Sequence, residues 1–393
     1  MPRRGLGTEN KKSGARIQKP GGRNESRISF NYWLLNSISS AYCLKGCCKT
    51  HRICHSEELQ ATKNLVTCSF YQHRDSSLRS AGQVPKGVKE MQVAMIGLGR
   101  MGMNMAKRLL QGGHEVVAYN RTPSKTEEIV KEGAIGSFSL TELVDKLTAP
   151  RVVWLMLPAG QPVDDHLDQL LELLAPGDIV IDGGNTYYKD DIRRAEMLAA
   201  KAIKFMDVGV SGGIWGLEVG YCMMMGGERE VFEHLEPISK TLAPENGYLY
   251  CGPTGAGHFV KMVHNGIEYG MMQSYGEGFA IMEGSPYAEF LDYSQVAHLW
   301  NQGSVIRSWL LELLESAFGK DARLTEIRGY VEDSGEGRWT VQQAVESGVS
   351  APVIALSLFR RFRSREKDAF EDKVLAALRR EFGGHAVVSA KKD

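Results

Sequence analysis

Cysteine is scarce in most of this chain: residues 91–393 contain only Cys222 and Cys251. Two scattered thiols supply no disulfide framework, which excludes a stapled secreted scaffold for this part and points to a reducing compartment. Long hydrophobic runs are also missing. No stretch approaches the roughly 18 consecutive apolar residues of a membrane-spanning helix, so an integral membrane protein is not expected. Net charge is absent as well, with 47 Lys and Arg against 47 Asp and Glu. At 393 residues and 43% hydrophobic, the chain has material for two or three domains with substantial cores.

The charge balance conceals an asymmetry. Residues 1–90 hold 16 Lys and Arg against 6 Asp and Glu, together with five of the seven cysteines. The stretch CLKGCCKTHRICH offers Cys47, Cys48, His51, Cys54 and His55 as a ligand set. Its spacing fits no familiar zinc pattern, so no metal is expected. An Arg- and Ser-rich, acid-poor leader is the composition of a transit peptide. The plainer reading is a disordered or non-native leader ahead of Met91, where periodicity begins. The compartment is then cytoplasmic, or organellar if the leader is a genuine transit peptide. No recognisable nucleic-acid motif accompanies the basic residues, and neither nucleic acid nor membrane is expected as a partner.

From Met91 the sequence becomes ordered in pattern. MQVAMIGLG is an apolar strand running into Gly97, Leu98, Gly99, Arg100, Met101 and Gly102, which is G-x-G-x-x-G. A helical segment and a second strand, HEVVAYN, follow it. Between a strand and a helix, in a unit of about 30 residues, this is a dinucleotide fingerprint: glycines let a pyrophosphate approach the backbone at a helix N-terminus. The second strand ends in Asn120, Arg121 and Thr122 rather than Asp or Glu. A neutral Asn does not repel a 2′-phosphate and Arg121 can pair with one, which favours NADP over NAD. RVVWLML, DIVIDGGN, IKFMDVGV and YCMMMGG read as further strands alternating with amphipathic helices, the pattern of a parallel sheet covered on both faces. Ligands in such folds bind beyond the carboxyl ends of the strands, where DGGN (182–185) and VSGG (210–213) stand.

After residue 253 the strand pattern gives way to helices. Residues 256–285 read as one long helix despite several glycines, each costing about 1 kcal/mol against Ala, so close packing against a helix or ligand is expected there. SQVAHLWNQGSVIRSWLLELLESAF and DKVLAALRREF read as helices too. The organisation is therefore a leader (1–90), an α/β Rossmann-type dinucleotide-binding domain (91–253) and an all-α domain (254–393). Near the junction, KMVHNGIEYG sets Lys261, His264, Asn265 and Glu268 on one helical face, because offsets of 3, 4 and 7 fall together. A solvated face usually repeats Glu and Lys at i,i+4. This mixture looks instead like a site.

KMVHNGIEYG, with GLGRMG, DGGN, VSGG and GRWT, resembles the 6-phosphogluconate dehydrogenases, decarboxylating oxidoreductases of the pentose phosphate pathway. The resemblance covers nearly all of residues 91–390, in the shorter form of that family. It implies oxidation of 6-phosphogluconate by NADP, or NAD, with loss of CO2 to give ribulose 5-phosphate. Lys261 would take the C3 hydroxyl proton and then polarise the C3 carbonyl, and Glu268 would protonate the enediol at C1. Asn185, Ser211, Gly212, Gly213, His264 and Asn265 would hold the substrate, with Asn185 also near the cofactor. Tyr269, Arg307 and Arg338 would hold its phosphate. Arg379 and His385, in the RREFGGH tail, would enter a neighbouring subunit's site, which implies a homodimer or homotetramer. The competing reading is another β-hydroxyacid dehydrogenase, of the 3-hydroxyisobutyrate or glyoxylate type. Those enzymes share the fold and the lysine but have no use for Glu268 or a phosphate clamp.

Overall fold

A computed structural model of the chain describes residues 87–389. The expectations placed on the leader, including the transit-peptide reading and the Cys47, Cys48, His51, Cys54 and His55 set, lie outside the described residues. Among the described residues no helix is long and apolar enough to cross a membrane.

Strands and helices alternate strictly through the first half: β1 (Gln92–Ile96), α1 (Arg100–Gln111), β2 (Glu115–Tyr119), α2 (Pro123–Val130), β3 (Ile135–Ser137), α3 (Leu140–Asp145), β4 (Val152–Leu155), α4 (Gln161–Leu170), β5 (Ile179–Asp182), α5 (Tyr188–Ala199) and β6 (Lys204–Ser211). These strands pair in parallel in the order β3-β2-β1-β4-β5-β6. Their apolar runs are buried on both faces. Val93, Met95, Trp154 and Ile181 point into one layer of core, and Ala94, Ile96, Val153, Leu155 and Val180 into the other. The strand order reverses between β1 and β4, and the glycine fingerprint opens at that switch point.

Two details depart from a purely parallel reading. A 3₁₀ turn (Gly213–Trp215) and α6 (Gly216–Val219) link β6 to β7 (Cys222–Gly227), which runs antiparallel to β6 with Ser211 opposite Cys222. A parallel crossover needs a dozen or more residues, and this link is too short to make one. After α7 (Arg229–His234) and α8 (Glu236–Leu242), β8 (Tyr248–Gly252) closes the eight-stranded sheet parallel to β7. The three-residue β3 escapes the sequence reading because IGS carries no alternation.

The helical half begins with α9 (Ala256–Glu283), 28 residues long, much as its pattern suggests. Its glycines divide into two groups. At Gly257 a Cβ would lie 2.5 Å from the Met224 carbonyl, and at Gly266 it would lie 2.7 Å from the Thr340 side chain. These glycines let the helix lie on the sheet and on its helical neighbour. Gly276 and Gly278 face open space, so close packing explains only the N-terminal half of the run. The stretch expected as a single helix from Ser294 is two, α10 (Tyr293–Asn301) and α11 (Trp309–Lys320), capped by Asp292 and Ser308. Gly303, with φ of +81°, turns the chain between them. Helices α12 (Glu336–Glu346), α13 (Pro352–Arg363) and α14 (Phe370–Gly383) complete the domain.

Candidate active site

The fingerprint loop is built for a phosphate. Gly97 has φ of +95°, and a Cβ there would meet the Met156 carbonyl at 2.4 Å. At Gly102 it would meet the Gly97 carbonyl at 2.0 Å, so both positions exclude a side chain. Gly99 is different: nothing lies within 4 Å of its Cβ position, and it caps α1 without a side chain. Open space therefore lies at the start of that helix, beside Arg100 and Met101, whose N–H groups have no intrahelical acceptor. This cradle fits a dinucleotide pyrophosphate. Asn120 acts on the same loop, since its Oδ1 accepts the Leu98 N–H at 2.9 Å while its Nδ2 donates to the Thr122 carbonyl at 3.2 Å. Arg121 is exposed beside it.

Beyond the ends of β5 and β6 the second set of residues converges. Asn185 adopts φ of 55°, and its carboxamide spans the Val210 backbone, accepting N–H at 3.0 Å and donating to C=O at 3.3 Å. The DGGN and VSGG loops are thereby tied to each other. Helix α9 passes directly over β6. A Cβ on Gly209 would lie 2.3 Å from that of Lys261, so only glycine lets the helix carry Lys261 so close to the strand. The Lys261 side chain is 5% exposed. Its Nζ lies 3.5 Å from His264 Nδ1, which is 2.9 Å from Asn265 Oδ1, and His264 Nε2 lies 3.4 Å from Ser211 Oγ. Gly212 and Gly213 follow Ser211 with positive φ at the open edge of this chain of contacts. Burial pushes the Lys261 ammonium below its ordinary range, while the carboxylates of Glu268 and Glu336 act in the opposite direction. Lys261, His264 and Asn265 are thus joined in one chain of contacts, with half-buried Glu268 near enough to act on the Lys261 charge.

Tyr269, Arg307 and Arg338, expected around the substrate's phosphate, have different surroundings. Tyr269 is buried, with its hydroxyl unpaired among the described residues and its ring against Gly337, where a Cβ would come within 2.4 Å. Arg361, which the sequence reading did not single out, places its guanidinium 3.5 Å from the centre of that ring. Nothing in the run FRRFR distinguishes it from Arg360 or Arg363. Arg338 bonds Asp333 through Nε at 2.6 Å and through a second nitrogen at 3.1 Å, with Arg365 on the same carboxylate. It also lies over the Phe362 ring at 4.5 Å. Arg307 lines a separate hollow with Ile267, Met271, Ser274 and Tyr275, on a different face of α9 from Lys261 and Glu268. Arg379 and His385 sit exposed on or after α14.

Comparison with known proteins agrees with this geometry. Residues 92–252 match the model of the NAD-binding domain of 6-phosphogluconate dehydrogenase, and residues 257–388 match the model of its C-terminal domain. YqeC of Bacillus subtilis, named provisionally for that enzyme, is 48% identical over 296 residues, covering 75% of this chain and 99% of its own. The NAD(+)-dependent, decarboxylating 6-phosphogluconate dehydrogenase of Haloferax volcanii is 43% identical over 305 residues, covering 77% of this chain and all of its own. Among solved structures, Plasmodium falciparum 6-phosphogluconate dehydrogenase, determined with NADP+ and with 6-phosphogluconate, superposes with a TM-score of 0.65 at 30% identity, covering 77% of this chain and 67% of that one. Two family models in tandem, one over each domain, and full-length relatives above 40% identity lead to one conclusion: the chain belongs to the 6-phosphogluconate dehydrogenase family.

Proposed function

We propose that the chain oxidises 6-phosphogluconate with NADP and decarboxylates it to ribulose 5-phosphate, with Lys261 as general base and Glu268 as general acid. The observation that carries this reading is the buried, destabilised Lys261 ammonium at the ends of β5 and β6, with Glu268 two turns along the same face of α9. NADP supplies the hydride acceptor. Neutral Lys261 removes the C3 hydroxyl proton as hydride leaves that carbon, a role that requires the depressed basicity burial provides. The resulting ammonium then donates to the C3 carbonyl oxygen and stabilises charge there while the C1 carboxylate departs as CO2. Glu268 protonates the carbon that lost CO2. It lies seven residues, about 10.5 Å, along the helix from Lys261, so the substrate lies along that face. Asn185, Ser211, Gly212, Gly213, His264 and Asn265 line the route between them. At the far end Tyr269, Arg338 and Arg361 offer a hydroxyl and two guanidinium groups to the phosphate.

This reading is tested by comparing turnover of 6-phosphogluconate with that of unphosphorylated gluconate and 3-hydroxyisobutyrate. The expected result is turnover of the first with losses of at least about 10³-fold for the others, since without the phosphate the buried Tyr269 hydroxyl lacks a partner and the nearby guanidiniums have no ligand to hold. Preference for 3-hydroxyisobutyrate would favour the plain dehydrogenase reading. Arg121→Ser is expected to lower kcat/KM for NADP by about 10- to 100-fold while changing that for NAD little, because a charge-assisted contact is worth about 1.5–3 kcal/mol.

The same reading includes a homodimer whose tail completes a neighbouring site. Every described side chain of α14 is exposed, including Phe370, Val374, Leu375 and Leu378, so the helix buries no apolar face against the described residues. A hollow of about 540 Å³ lined by Met272, Tyr275, Phe279, Leu313 and Phe318 lies open on the helical domain. A second copy supplies what both surfaces lack.

A further inference from the structure

Beneath the site, buried charges cluster where α9 meets the sheet. Asp207, in the middle of β6, is fully buried, and its two oxygens accept the N–H groups of Gly255 at 2.6 Å and His258 at 2.8 Å. A strand side chain therefore caps the catalytic helix, doing the work of the side chain that Gly255 lacks at the N-cap. The His258 ring, 1% exposed, sets Nδ1 2.7 Å from Oδ2 of the buried Asp191 on α5. Asp182, at the end of β5, is the third carboxylate. It accepts the Gly184 N–H at 2.9 Å and the Thr186 hydroxyl at 2.8 Å, and meets the buried Arg194 at 3.3 Å. Donor atoms of Asp182, Asp191 and His258 all lie within 4.8 Å of one another. With both Asp182 oxygens engaged and His258 already bonded to Asp191, this is an ion network rather than a cage for a metal.

The network joins the two loops the reaction needs. Asp182 holds the turn that presents Asn185, and Asp207 holds the first turn of α9, with Lys261 one turn beyond His258. Burial pushes the Asp191 carboxyl up to about 7 and the Asp207 carboxyl up as well, so the single guanidinium of Arg194 leaves these acids short of a cation, and His258 alone among them can supply it. Burial by itself would disfavour the imidazolium, but the carboxylates of Asp191, Asp182 and Asp207 outweigh it and raise the His258 pKa to about 9.

We propose that His258, protonated and paired with Asp191, is a positioning residue: it locks the first turn of α9 to α5 and the sheet, and so fixes Lys261 over the ends of β5 and β6. Its kinetic test rests on the function proposed above, whereas its charge and its pH-linked stability can be read without activity. In ¹⁵N-histidine-labelled wild-type protein, one buried histidine should show both ring nitrogens protonated at pH 7.5, and Asp191→Asn should abolish that signature. A neutral His258 in the wild type overturns the proposal whatever the variants do.

His258→Asn keeps a donor near the Nδ1 position and removes the charge. Its kcat with 6-phosphogluconate should fall about 10²-fold, the scale of loss expected when a catalytic group is misplaced by about 1 Å, with KM changed less than about threefold. A kcat within twofold of wild type contradicts the positioning role. Burial lifts the Asp191 carboxyl to about 7 and the carboxylates lift the His258 ring to about 9, so the charged pair is present between those values and its stabilisation is lost as pH rises from about 7 through about 9. The melting-temperature gap between wild type and His258→Asn should therefore narrow across that window. A gap independent of pH would show that no protonated pair is at work.

Discussion

Lys261→Met is expected to lower kcat by about 10³-fold or more, near the upper part of the range seen when a positioned acid or base is removed. Methionine matches the lysine stem in length and suits a side chain that is 5% exposed, so the fold should survive and the loss should be chemical. Lys261→Arg should be nearly as inactive, because a guanidinium does not deprotonate and cannot accept the C3 hydroxyl proton. In the wild type, kcat/KM should rise with pH as Lys261 loses its proton, and burial sets the midpoint of that rise below the ordinary lysine value of 10.5. Steady-state rates across pH, with melting temperature as a control for folding, check both statements. Activity of Lys261→Met within tenfold of wild type would remove Lys261 from the mechanism.

Glu268→Gln should separate the two halves of the reaction. Hydride transfer depends on Lys261, so reduced cofactor should still form in the first turnover. Without the acid, steady-state release of product should fall by about 10²- to 10³-fold. Rapid-quench analysis would then show an early burst of reduced cofactor followed by slow completion. A second effect has a definite sign. Glu268 raises the Lys261 pKa, so removing its charge should move the rise in kcat/KM to lower pH. A shift in the other direction, or equal loss of both steps, would mean that Glu268 does not face Lys261 as described.

Much of this arrangement could be read before any coordinates. The fingerprint, the apolar strands and the 28-residue α9 follow from local pattern, because burial on both faces and a 3.6-residue period leave direct marks on composition. The gathering of Lys261, His264, Asn265 and Glu268 was legible for the same reason. The antiparallel return of β7 was less so, since strand direction depends on the length of a connection and not on the strand itself. The arginines were least legible. Arg307 lies in the link between α10 and α11 and Arg361 in an arginine-rich stretch of α13, and only packing shows that Arg361 covers Tyr269 while Arg307 lines another hollow. Asp207 left a signal that went unused: an acid inside the apolar strand KFMDVGVS needs a partner, and it finds one in the backbone of a helix 48 residues away. Gly209 illustrates the converse. Its importance comes from what crosses it, Lys261 on α9, which no window around the strand could reveal.

The most direct test of the central claim is the ratio of CO2 released to cofactor reduced, measured in one reaction on 6-phosphogluconate with NADP or NAD. A ratio of about one, at rates that Lys261→Met suppresses, is what a site pairing a buried base with an acid along one helix should give. Reduced cofactor without CO2 would contradict it and leave a simple hydroxyacid dehydrogenase in its place.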